Sequence, residues 1–170
     1  MIEALITSKT RLKLLLKFFL NPSNTSYLRG LATEFSESTN SVRVELNRLE
    51  EAEMLESFSE GNKKLFKVNT AHPLFVDIQA IIKKYVGIDT IIENILNRIG
   101  NLEEVYLVGD IADGKSSDKI ELLMLGDLDE TYLKNLVDKA QQVIHKEIIY
   151  TVQKKNPQNI NGPHLKIWSA

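Results

Sequence analysis

One stretch, from about Ser8 to Val68, constrains the fold more than any other part of the chain. Leu12, Leu15, Leu16, Phe19 and Leu20 recur at helical spacing. Ser8 stands where it can cap a helix through Arg11–Leu20, and Asn21-Pro22 stops it. Asn24-Thr25-Ser26 reads as a loop, with Ser26 as the cap of a short helix from Tyr27 to Phe35. Ser36-Glu37-Ser38 is a turn, and Ser38 or Thr39 caps a further helix ending near Ala52. Val42, Leu46 and Leu49 form its buried stripe, which leaves Thr39, Asn40, Arg43, Val44, Asn47 and Arg48 outward. Leu55 to Glu60 and Lys63 to Val68 alternate as strands, and Gly61-Asn62 between them suits a two-residue hairpin turn.

The rest of the chain has a different rhythm. Pro73 fits the first turn of a helix to Val86. Gly87 breaks the chain, Asp89 can cap a helix to Ile99, and Gly100-Asn101 ends it. Glu104 to Val108 and Lys119 to Leu125 read as strands. Asp129 caps an amphipathic helix to about Lys146, with Tyr132, Leu133, Leu136, Val137, Ala140 and Ile144 inward. Glu147 to Val152 is a third strand, Lys154 to Pro163 a polar loop, and Leu165 to Trp168 a last edge strand. The expected class is α+β, in two parts: residues 1–86, and residues 87–170 with a small mixed sheet.

Charge separates the same two parts. Residues 1–86 carry 12 Lys and Arg against 10 Asp and Glu, whereas residues 87–170 carry 9 against 13. A weakly basic half followed by an acidic one points to a polyanion contact in the first half only. With no cysteine, disulfides and Cys-based zinc sites are excluded. Met1-Ile2-Glu3-Ala4-Leu5 lacks the cationic start of a secretion signal, and Lys13 and Lys17 interrupt the apolar run from Leu12 to Leu20. A cytoplasmic protein with no membrane segment is expected.

The outward face of the Thr39–Ala52 helix offers hydroxyls, amides and guanidinium groups beside a cationic hairpin. Arg43 can pair with guanine, and Asn40 or Asn47 with adenine, through two hydrogen bonds each. Arg29, Lys63, Lys64 and Lys67 can neutralise phosphate, and Ser38, Thr39 and Arg48 complete the expected contact set with double-stranded DNA. Glu45, Glu50, Glu51 and Glu53 on the same segment oppose this, because carboxylates repel phosphate. Residues 5–70 resemble a winged helix of the ArsR type. The resemblance is carried by Tyr27-Leu28-Arg29-Gly30-Leu31-Ala32, by Ser38 through Leu49, by Leu55-Glu56-Ser57-Phe58, and by Lys64-Leu65-Phe66-Lys67-Val68. It implies a homodimer on operator DNA with the second helix in the major groove. The apolar helix Leu74–Val86 is the candidate dimer surface, with packing against the hairpin as the competing role.

Two patterns stand out in the second half. Gly109 through Ser116 fits G-x-x-x-x-G-K-[ST], the phosphate-binding loop. Its context fails: Ile120 to Leu125 follows as a buried strand where the loop needs a helix, and Asp110 and Asp113 put negative charge in the cradle. Glu104 to Lys115 followed by Ile120 to Met124 looks like a minimal nucleotidyltransferase domain, an enzyme class with a Gly-Ser turn, two metal-binding carboxylates two apart on the next strand, and a third acid later. Here Asp110 replaces the Ser after Gly109, Lys119 takes the first carboxylate position, Glu121 the second, and Ile149 the third. One acid and a lysine hold a divalent cation poorly. The resemblance thus implies the fold without the catalysis, and no metal or cofactor. Lys119 is free to pair with Glu121 on the surface. His72, His145 and His164 are scattered without a metal-binding spacing.

The function expected from the sequence is a DNA-binding transcriptional regulator, with the second half as a protein or small-molecule effector surface. A small metal-dependent nucleotidyltransferase tethered to a winged helix, and a protein–protein adaptor, are the alternatives.

Overall fold

The computed structural model describes residues 1–154 and 159–170. It divides into two compact units, Met1–Ile82 and Lys83–Ala170. The division falls inside a helix, four residues before the expected boundary at 86/87, because the last turn of that helix clusters with the second unit. The part of the expected polar loop at 155–158 lies outside the described residues.

In the first unit, α1 (Lys9–Leu15) is capped by Ser8, whose side chain accepts from the Arg11 amide. It widens into a π-helical turn, Leu16–Leu20, in which all five residues are buried. Strand β1 is only Ser26–Tyr27. It is followed by α2 (Leu28–Phe35), α3 (Thr39–Glu51), β2 (Leu55–Glu60) and β3 (Lys63–Val68). The three strands run β1-β3-β2, all antiparallel. Ser26 was expected to cap the second helix, but Ser26 and Tyr27 pair with Phe66 and Leu65 instead. The ladder takes their backbone, so α2 starts at Leu28 with no side-chain cap. Helix–turn–helix and hairpin stand where the sequence placed them. Val42, Leu46 and Leu49 are buried with Leu14, Phe18, Phe19 and Leu31.

Three ion pairs fasten α1 and its π-helical turn to the helix-turn-helix. Arg11 donates to Glu45 on α3 at 2.8 Å, Lys13 to Glu37 in the turn at 2.8 Å, and Lys17 to Glu34 on α2 at 3.2 Å. Burial pushes the Glu45 carboxyl up, but the bonds from Arg11 and Ser8 and the charges of Arg11 and Arg48 outweigh it, and the group titrates below its ordinary value of 4.5. Glu37 behaves alike: burial raises it, but the Lys13 and Thr10 bonds and the Lys13 charge outweigh that and leave it lowered.

α4 (Phe75–Val86) starts after Pro73-Leu74, two residues later than expected. In the second unit, Gly87 rather than Asp89 holds the N-cap position, at φ 102°. Asp89 sits inside the first turn of α5 (Ile88–Ile91), 3.6 Å from Lys84. The helix continues only as a π-helical turn, Ile92–Leu96, and ends at Asn97. Then follow β4 (Leu102–Val108), the four-residue α6 (Gly109–Ala112), β5 (Lys119–Gly126), α7 (Glu130–Ile144), β6 (Glu147–Gln153) and β7 (His164–Ser169). The strand order is β6-β5-β4-β7, with β5 and β6 parallel and the other pairs antiparallel, so the sheet is mixed as expected.

The parallel pair needs a crossover, and α7 supplies it. Asp129 caps α7 as expected. His145, at φ 57°, ends it one residue short of Lys146. Leu133, Leu136, Val137 and Ala140 are buried. Tyr132, expected inward, is 45% exposed, and Ile144 is half-buried. Ile120, Leu122 and Met124 form a buried row on β5, in register with Ile148, Leu107 and Val105. Among the described residues no helix is long and apolar enough to cross a membrane.

Removing the Glu45 carboxylate leaves Arg11 and Arg48 without their acid. Glu45→Ala is expected to destabilise the chain by about 1–3 kcal/mol in urea unfolding. Both depressed carboxyls bind protons more tightly in the unfolded chain, so their stabilisation is present above about pH 4.5 and lost as pH falls through the lower folded values. The thermal midpoint should hold from pH 7 to 5, then drop. Glu45→Gln should flatten that drop.

Candidate nucleic-acid interface

Between α3 and the hairpin lies a groove of about 830 Å³. Leu28, Leu46, Phe66 and the Tyr27 ring supply its apolar lining, and Arg29, Arg43, Asn47, Asn62, Lys63 and Lys64 its polar one. Its lining contains no Asp or Glu. Arg43 and Asn47 are four apart on α3, hence on one helix face. Two cations come from helices and two from β3, so the fold gathers residues far apart in sequence.

Each expected contact residue has a definite place. Thr39, Asn40, Arg43, Asn47 and Arg48 are all exposed on α3. Ser38 is engaged by the helix itself: its oxygen accepts from the Ser41 amide at 3.1 Å. Arg48 lies 3.3 Å from Glu45, on the α1 side of the helix and outside the groove lining. Lys67 is 3.7 Å from Glu56 and 5.6 Å from the Phe58 ring centre, also outside it. Arg29, Arg43, Asn47, Lys63 and Lys64 meet in the groove, whereas Ser38, Thr39, Asn40, Arg48 and Lys67 are not part of its lining.

The acids of α3 sit differently from their sequence appearance. Glu45 is buried against Arg11, so it is not offered to a polyanion. Glu50 binds Lys64 at 3.0 Å and accepts the Ser57 hydroxyl at 2.5 Å. These bonds, the Ser57 one foremost, hold its carboxyl below the ordinary value. Tyr27 and Asn62 were not singled out from the sequence as contact residues. Tyr27 lies under the Lys63 ammonium, 4.2 Å from ring centre to nitrogen. A Cβ on Gly30 would stand 3.0 Å from that ring, so a glycine three residues after Tyr27 was the available signal.

The sequence also singled out a position on the second unit's sheet. Glu121 is beside Val108 on β4 and Ile149 on β6. Gly109, at φ 71°, lies beneath the Glu121 carboxylate, where any Cβ would overlap it. Lys119 does not pair with Glu121. It is in register with Glu147 and 3.7 Å from that carboxylate, because the parallel pairing with β6 puts an acid directly beside it. Asp110 is exposed in α6, and Lys115 is 2.8 Å from Asp113. Among the described residues no group of three His, Asp or Glu side chains is placed to hold a metal ion.

No family model and no curated protein matches the chain. Among solved structures, reduced HlyU from Vibrio cholerae N16961 is similar over 49% of this chain and 79% of its own, at 14% identity and a TM-score of 0.38. AF1382 from Archaeoglobus fulgidus is similar over 55% and 99%, at 22% identity and a TM-score of 0.39. A complex of tri-AMPylated Shewanella oneidensis HEPN toxin with MNT antitoxin is similar over 49% and 71%, at 18% identity and a TM-score of 0.39. Likenesses at this level carry no activity over to the chain.

Gly109→Ala should cost about 1–3 kcal/mol in chemical unfolding, since a side chain there is strained at positive φ and must displace Glu121. Wild-type stability in the variant would show that the turn relaxes freely.

Proposed function

We propose that the chain is a transcriptional regulator whose first unit binds double-stranded DNA as a winged helix. The supporting observation is the groove: four cations and two asparagines converge on a space whose lining holds no carboxylate. A major groove about 12 Å wide admits a helix, and α3 presents Arg43 and Asn47 on its groove side. Arg43 suits the guanine edge and Asn47 the adenine edge. Arg29, Lys63 and Lys64 suit phosphate, which fixes the protein on the duplex without reading sequence.

A homodimer is part of this reading, since two copies would engage two half-sites one helical turn apart. The exposed apolar residues of α4, Val76 and Ile81 among them, are its proposed contact. The second unit is proposed as a nucleotidyltransferase-like module without catalysis, serving as a partner or effector surface. Supporting that, the strand neighbour of Glu121 is Ile149, and Lys119 is bound up with Glu147.

Fluorescence anisotropy with a random duplex tests the DNA reading. With two to three phosphate contacts per protomer, according to whether Lys64 takes part, log K should fall with log salt at a slope of about −2 to −3 for each protomer bound. No binding at low salt would contradict the reading. On a duplex selected for tight binding, Arg43→Ala should lose about 1–3 kcal/mol and relax specificity at one base pair. An equal loss on every duplex would reassign Arg43 to phosphate.

A further inference from the structure

The four cations that line the groove differ in one respect. Arg29 and Arg43 carry no ion pair among the described residues, and Lys63 lies over the uncharged Tyr27 ring. Lys64 alone among them is held by a carboxylate, donating to Glu50 Oε2 at 3.0 Å. The other oxygen of Glu50 accepts from the Ser57 hydroxyl. A single acid on the last turn of α3 thus reaches one residue on each strand of the hairpin. Both partners are open to water, Glu50 at 30% and Lys64 at 55% exposure. A pair so exposed is weak, and an arriving anion can compete for the ammonium.

Resting on the DNA reading above, we propose that Glu50 acts as an internal substitute for phosphate and withholds Lys64 from the backbone of a duplex. One donor of the ammonium is already given to a carboxylate before DNA arrives. When a phosphate approaches, it must share the ammonium with that carboxylate or take it, and stand near its negative charge. The attraction that Lys64 would add is largely cancelled. Glu50 thereby sets how many of the groove's cations count toward the salt-dependent, sequence-independent part of binding, while Arg43 and Asn47 keep their base-reading role.

The test measures affinity of the full chain for a random duplex across salt, for wild type, Glu50→Gln, Lys64→Gln and the double variant, with thermal midpoints to confirm folding. Glu50→Gln keeps the length of the side chain and an oxygen for Ser57. It should bind more tightly than wild type and steepen the log–log salt slope by about 0.9, the contribution of one phosphate contact. Lys64→Gln alone should leave the slope nearly unchanged, and adding it to Glu50→Gln should erase the gain. An unchanged or weaker Glu50→Gln would overturn the proposal and make Glu50 a residue that positions the hairpin. A gain that survives in the double variant would also overturn it, since lost long-range repulsion would then suffice. Failure of the wild type itself to bind at low salt overturns the DNA reading and this proposal together. Normal wild-type binding with an unaltered Glu50→Gln slope overturns this proposal alone.

Discussion

The first unit depends on a buried carboxylate. Glu45 lies on α3, one turn before Leu49 and beside Leu46, where a sequence stripe would call for an apolar residue or a solvent-facing one. It is 6% exposed and meets Arg11 from α1 and Arg48 from its own helix. Burying a charge is unfavourable unless it is paired and hydrogen-bonded, and here both conditions hold. The pair ties α3 to α1. Together with the buried Val42, Leu46 and Leu49, it turns Glu45 away from the face on which Arg43 and Asn47 reach the groove. The Lys13–Glu37 and Lys17–Glu34 pairs repeat the arrangement along α1 and its π-helical turn, with Lys17 itself buried.

Charge is therefore partitioned within a unit whose net value is small. Acids that looked like an obstacle to DNA binding are turned inward at Glu45 or neutralised at Glu50. The groove keeps the cations. A formal net charge of −2 for the whole chain says little about such a surface, because the field a phosphate meets at close range comes from the lining residues, within a Debye length of roughly 8–10 Å.

Much of this was legible in the sequence, and the parts that were not have definite causes. Strong periodicity and turn residues located α3, the hairpin and α7 to within a residue or two. Ser26 and Asp89 were misplaced as caps because a cap is a local signal and a competing partner won: a ladder with β3 in the first case, Gly87 at positive φ in the second. The burial of Glu45 was invisible because its partner, Arg11, is 34 residues away. Lys119 was assigned to Glu121, two residues along its own strand, whereas the actual partner comes from the neighbouring strand, whose register the sequence does not state. For the groove, residue types were readable but convergence was not. Tyr27 and Asn62 enter it only when β1 joins β3 and the hairpin folds beside α3.

The central claim is that one groove, formed by α3 and the hairpin, meets the double helix. Backbone amide NMR shifts of the labelled full chain, followed while a short duplex is added at low salt, test it most directly. The account predicts the largest changes at Arg29, Arg43, Asn47, Lys63 and Lys64, with the sheet of the second unit unmoved. Changes confined to that sheet, or none at any residue of the groove, would contradict it.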